Sequence, residues 1–132
     1  MDTFQIQTRH RTEFVEITDQ VRQAVGNAAV RQGICIVYCP HTTAAITVNE
    51  NADPDVVHDM LLWLNRTIPQ QQTDFRHGEG NSDAHIKSSL VGASATLLIE
   101  NGDLVLGRWQ GIYFCEFDGP RTRGVKVQCL GQ

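Results

Sequence analysis

Apolar and polar residues alternate along Phe4-Gln5-Ile6-Gln7-Thr8 and again along Phe14-Val15-Glu16-Ile17, the period of a half-buried strand. With a polar break at His10 to Thr12 between them, the two segments predict a β-hairpin. Asp19, or Thr18 before it, is placed to cap a helix whose Val21, Val25, Ala28 and Ala29 recur at helical spacing, and Gly33 supplies a left-handed stop. Ile34-Cys35-Ile36-Val37-Tyr38 is an unbroken β-favouring run, which predicts a central strand covered on both faces and ended by Pro40. Ala45 to Val48 resumes extended structure, leaving Cys39 to Thr43 as a turn at a strand end.

Asp53-Pro54 is a helix start, a capping side chain followed by proline at the first helical position, and the helix runs to about Asn65. Val57, Met60, Leu61 and Leu64 form its stripe; Leu62 and Trp63 widen the apolar surface beyond one contact, which hints at a subunit interface. From Ile68 to Arg76 the chain is polar and glutamine-rich, a surface loop. A third helix begins around Ser82, and Ala95 to Ile99, Leu104 to Leu106, Gly111 to Phe117 and Val125 to Leu130 read as strands, with turns at Asn101-Gly102 and Asp118-Gly119-Pro120. Strands, helices and then a run of strands argue for an α+β fold, a mostly antiparallel sheet with helices on one face, in a single domain over residues 1–132.

Eleven basic against fifteen acidic residues leave a formal charge of −4, so no global positive field draws nucleic acid or an anionic membrane, and any anion site is local. No signal peptide or membrane span can be drawn, which makes a cytoplasmic location the expectation. Cys35, Cys39, Cys115 and Cys129 sit among β-branched and aromatic neighbours without a Cys-x-x-Cys pair and read as buried thiols, with Cys39 set apart by its closeness to His41.

The segment His77-Gly78-Glu79-Gly80-Asn81-Ser82-Asp83-Ala84-His85-Ile86-Lys87-Ser88-Ser89-Leu90 is the most informative. Its glycines let the backbone turn tightly beside a ligand, and the helix that follows offers free amides to a carboxylate or phosphate. Once helical, Asn81, His85 and Ser88 or Ser89 share one face while Ile86, Leu90 and Ala93 lie on the other. A capped surface helix needs only Asn81 or Ser82 as cap and Asp83 near the positive end; His77, Glu79, Asn81, His85 and Lys87 within eleven residues exceed that need. His41-Thr42-Thr43, with Thr47, Asn49 and Glu50 after it, brings imidazole, hydroxyl, amide and carboxylate to one strand pair. Three histidines and a carboxylate could hold a divalent ion such as zinc, although their spacing matches no compact metal motif; the same histidines could instead move protons. His10 and His58 read as surface residues. Arg121 and Arg123 either grip phosphate or pair with Glu116 and Asp118 across a turn, and Trp109 is either a core anchor or a wall for a flat ligand.

His41-Thr42-Thr43-Ala44, His77-Gly78-Glu79-Gly80-Asn81, Ala84-His85-Ile86-Lys87-Ser88-Ser89-Leu90, Leu106-Gly107-Arg108-Trp109-Gln110 and Asp118-Gly119-Pro120-Arg121-Thr122-Arg123 together resemble the YjbQ-like family, named for secondary thiamine-phosphate synthase activity. The resemblance covers nearly the whole chain. It implies a two-layer α+β fold, a homotrimer with sites near subunit boundaries, and site residues His41, Asn49, Glu50, His77, Glu79, Asn81, His85, Lys87, Ser88, Trp109, Gln110 and Arg121. The implied reaction joins the pyrimidine diphosphate precursor of thiamine to the thiazole phosphate and expels pyrophosphate. On this reading Lys87, Arg121, Ser88 and the amides after Gly80 hold phosphates, while His41, His77 and His85 bind a divalent metal, zinc or magnesium, or move protons. Arg108 stands where relatives are expected to carry a small residue such as threonine. The alternatives are another metal-assisted reaction on a phosphorylated metabolite, and a trimer that binds such a metabolite without turning it over.

Overall fold

The chain runs β1 (Asp2–Gln7), β2 (Glu13–Glu16), α1 (Thr18–Ala28), β3 (Gln32–Tyr38), β4 (Ala44–Glu50), α2 (Pro54–Thr67), α3 (Ser82–Val91), β5 (Ser94–Glu100), β6 (Asp103–Val105), β7 (Gln110–Glu116) and β8 (Thr122–Gly131). In this computed structural model, which describes residues 1–132, the fold is α+β, as expected, but its strands form two antiparallel sheets, ordered β1-β8-β3-β5-β6 and β2-β7-β4. The expected N-terminal hairpin is therefore corrected: β1 pairs with β8 and β2 with β7. Alternation says that a strand has two unlike faces, not which strand it joins. The break at His10 to Thr12, where the His10 amide donates to Glu13 Oε2 at 2.8 Å, carries the chain from one sheet to the other.

The larger core fills the space between the sheets. Val37, Val125, Val127, Leu97 and Ile99 from the five-stranded sheet meet Ile46, Ile112 and Phe114 from the other, with Val21 and Val25 of α1 closing one side. A second cluster, Ala45, Tyr113, Cys115 and Phe117 with Leu64, Ile68 and Ala84, packs α2 and α3 on the outer face of the three-stranded sheet. Alternate residues of β4 and β7 thus serve opposite cores, which is why β7 is buried along most of its length and β4 from Ala44 to Ile46.

Helix ends follow local chemistry in part. Asp53 caps α2 by accepting the Asp55 amide at 2.9 Å, with Pro54 behind it. Neither Thr18 nor Asp19 caps α1, which begins after Ile17 without a side-chain cap; the Thr18 hydroxyl instead accepts the Ile112 amide at 2.9 Å and ties the helix to β7. The left-handed stop is Ala29 (φ 56), not Gly33. Gly33 lies within β3, where a Cβ would stand 2.0 Å from the Leu130 carbonyl oxygen, so the glycine permits close approach to β8.

Two apolar surfaces stay open. β3 buries Cys35 and Val37 but leaves Ile34 and Ile36 half-covered and Tyr38 exposed, so the strand is covered fully on one face only; Leu98 and Leu130 lie exposed beside it. On the helices, Leu62 and Trp63 are exposed as anticipated, and so are Ile86 and Leu90 of α3. Of the face read as polar, Asn81 and Ser88 are buried, His85 is half-buried and Ser89 is exposed, and the buried side of the helix also carries Asp83, Ala84 and Lys87. No helix is long and apolar enough to cross a membrane.

Candidate functional site

The turn between β3 and β4, the start of α3 and the loop from β7 to β8 converge at one end of the three-stranded sheet. They are tied by the Phe117 amide donating to Thr43 O at 3.2 Å and by the Ser88 hydroxyl donating to Thr42 O at 2.6 Å. Gly119 lets the last loop close, because a Cβ there would meet the His10 carbonyl oxygen at 2.4 Å. Between these segments lies a hollow of about 320 Å³ whose wall is polar apart from Pro40; His41, Glu79, Asn81, His85, Arg121 and Arg123 line it, together with Asp118.

Behind this wall Glu116 and Arg123 form a buried ion pair. Arg123 Nε donates to Glu116 Oε1 at 2.9 Å, and its Nη2 donates to Glu116 and to Thr43 Oγ1. The Thr8 hydroxyl adds a bond to Glu116 at 2.8 Å and accepts the Arg121 amide at 2.9 Å. Burial alone would raise the Glu116 pKa, but the Arg123 guanidinium, with the Asp118 amide and Thr8, brings it below the ordinary carboxylate value. Arg123 Nη1 makes no hydrogen bond within the chain, and Arg123 is among the residues that line the hollow. Arg121 is steadied by Asp118, Nη2 to Oδ2 at 3.1 Å. The arginines therefore pair with Glu116 and Asp118 and still border the cavity, so the two readings of this segment are compatible.

His41 accepts the Gly124 amide on Nε2 at 2.9 Å. Its pKa lies below the ordinary imidazole value, chiefly because of burial and then because of the Arg123 charge. An amide proton aimed at the Nε2 lone pair requires the neutral ring, so His41 carries its proton on Nδ1 and offers one N–H. His85 lines the same hollow, and His77 meets it edge to face with ring centroids 5.6 Å apart. His77 borders a separate depression with the glutamine loop. A further hollow of about 490 Å³, with Ala44, Ser88, Ser89, Gly92 and Ala93 in its wall, shares His41, Thr42 and His85 with the first.

The three imidazoles do not fit a divalent ion within one copy. His41 Nε2 is occupied by a backbone amide, and no three His, Cys, Asp or Glu side chains come together as ligands. Burial pushes the Cys39 thiol up to about 11, and its Sγ donates to the His41 carbonyl at 3.9 Å, so at neutral pH it stands as the thiol.

Other sequence candidates lie elsewhere. Asn49, Glu50, Trp109 and Gln110 occupy the far end of β4 and β7, on the order of 20 Å along the strands from His41. There Glu50 Oε2 accepts the Asp53 amide, Gln110 Oε1 accepts the Gly107 amide, and Arg108 stacks 4.7 Å from the ring centre of the exposed Trp109. Lys87 does not reach the hollow as a phosphate ligand. It is 1% exposed and donates to Asp83 at 2.7 Å and Asn65 at 2.8 Å, while Arg11 grips Asp83 from the other side. Thr8 and Arg11 escaped the reading of the sequence, whereas Glu116 entered it only as a partner for an arginine across the next turn, and Arg123 is that arginine.

Fold and cavity together define a small α+β protein built around a hollow of histidine, arginine and amide groups at one sheet end. Residues 2–132 match the family described as UPF0047 protein YjbQ-like, and the chain belongs to that family. It is 51% identical over 131 residues to the UPF0047 protein YugU of Bacillus subtilis, covering 99% of both chains. It is 41% identical over 127 residues to a UPF0047 protein of Archaeoglobus fulgidus, covering 95% of this chain and 97% of that one. Among solved structures, an uncharacterized YjbQ/UPF0047 protein from Clostridium acetobutylicum superposes with a TM-score of 0.96 at 51% identity, over 98% of this chain and 100% of that chain. A protein of unknown function from Sulfolobus solfataricus reaches 0.94 at 34%, over 99% of this chain and 96% of that chain.

Proposed function

We propose that the protein is a thiamine-phosphate synthase-like transferase that joins the pyrimidine diphosphate precursor of thiamine to the thiazole phosphate. The observation that carries this reading is the pair of adjoining hollows that share His41, Thr42 and His85. The mainly polar hollow suits the diphosphate; its neighbour, with alanines and glycine in its wall, suits a ring. In the reaction the thiazole nitrogen forms a bond to the pyrimidine methylene while the carbon–oxygen bond to diphosphate breaks and pyrophosphate departs. Arg121, Arg123 Nη1 and the His41 Nδ1–H donate to the oxygens on which negative charge grows, the main physical need of such a step.

The far-end group of Asn49, Glu50, Trp109 and Gln110 enters this reading through a homotrimer, in which one copy's far end borders its neighbour's hollow. The exposed apolar residues Trp63, Leu90, Leu98 and Leu130 support association. The test is elemental analysis of the purified protein, then an assay with both precursors, with and without chelator. Turnover is expected, falling by about 10²-fold or more in His41→Ala and His85→Ala with circular dichroism unchanged. Binding of the diphosphate without turnover would identify a binder, and unaltered turnover in both variants would remove the histidines from the reaction.

A further inference from the structure

Asn81 stands at the N-cap of α3, where an asparagine ordinarily turns its Oδ1 onto a free amide of the first turn. It makes no such bond. Its Nδ2 donates instead to Asp118 Oδ2 at 2.7 Å and more weakly to Glu79 Oε2 at 3.4 Å. Both partners are carboxylates, so the amide cannot be flipped without setting oxygen against oxygen. Oδ1 is left as a buried side-chain atom with no hydrogen-bond partner, on a residue only 6% exposed that lines the polar hollow. An acceptor held dry in this way lowers the affinity of any ligand that cannot satisfy it, and rewards one that can.

The remaining wall sorts by the same logic. Arg121, Arg123 and the His41 ring supply donors beside the carboxylates of Glu79 and Asp118, and the donors call for an anion. Asn81 Oδ1 supplies an acceptor, which calls for an N–H or O–H. We infer that Asn81 is a specificity-determining residue, its Oδ1 selecting phosphorylated ligands that carry a hydroxyl or amino donor a few bonds from the phosphate. The inference rests on the reading that an anion enters this hollow, and goes beyond it in naming the second group that the ligand must carry.

Three esters of equal size separate the possibilities: n-propyl phosphate, 2-hydroxyethyl phosphate and 2-aminoethyl phosphate, titrated calorimetrically into the full-length protein. The hydroxyl ester is expected to bind about tenfold more tightly than the propyl ester, with a shift of the Asn81 side-chain amide resonances that the propyl ester does not produce. In Asn81→Leu, which keeps the volume, that preference disappears. A merely structural Asn81 would weaken all three esters by one common factor, and that result overturns the inference. So do equal affinities in the unaltered protein, which leave the anion reading standing, and so does an amino-ester preference that survives in Asn81→Leu, which assigns the donor to Asp118 or Glu79. If no ester binds, the anion reading falls and the inference with it. Should Asn81→Leu fail to fold, the resonance shift in the unaltered protein decides alone.

Discussion

His41 shows how a single side chain acquires its chemistry from its neighbours. The folded protein resists a proton on this ring, because burial and Arg123 oppose it, whereas the unfolded chain takes one up near the ordinary value of 6.5. The contribution to stability is therefore complete above about pH 6.5 and declines as pH falls below it. Asp83 and Glu116, both held low, add their own losses only further down, below 3.8 and 4.5. Urea midpoints measured from pH 8 to pH 5 should drop most between 6.5 and 5, and His41→Asn should flatten that segment while leaving the acid limb below pH 4 in place. The three fully buried thiols behave differently: burial pushes Cys35 up to about 12 and Cys115 well above the thiol range, so at neutral pH they pack as small apolar groups.

At the scale of an element, α3 is unusual in burying charge while exposing Ile86 and Leu90. The Lys87–Asp83 pair, one helical turn apart, is anchored at both ends, by Asn65 of α2 and by Arg11 of the β1–β2 connection. It docks the helix that carries Asn81 and His85. Lys87→Met takes one of two cations from the buried Asp83, which keeps Arg11, and strands Asn65 Oδ1, so it should lower unfolding free energy by about 1–3 kcal/mol, read from denaturant titration. Phosphate-ester affinity of the folded fraction should not change, because Lys87 lines no hollow. A selective loss of affinity with stability intact would return Lys87 to the binding site.

For the whole molecule, the two uncovered apolar surfaces set the next question. A chain of this size seldom leaves Tyr38, Leu98 and Leu130 on one sheet face and Trp63 and Leu90 on the helices without a second copy to cover them. Sedimentation equilibrium should give three times the chain mass, and Leu98→Glu or Leu90→Glu should reduce it. Mixing inactive His41→Ala with inactive Glu50→Ala should restore part of the activity if neighbouring copies share a site; no recovery in verified mixed trimers would confine the site to one chain. The sequence by itself determined the elements and their chemistry: alternation marked β1 and β2, Asp53-Pro54 marked α2, and His41, Asn81, His85 and Arg121 were legible because polar groups crowd near glycine and strand ends. Only tertiary structure decided that β1 and β2 part into different sheets, that Lys87 turns inward while Leu90 turns out, and that Glu116 and Thr8 stand behind Arg123. The reason is physical. Periodicity and capping are interactions between near neighbours along the chain, whereas sheet partners and buried ion pairs join residues as far apart as Thr8 and Glu116, which only the folded backbone brings to 2.8 Å.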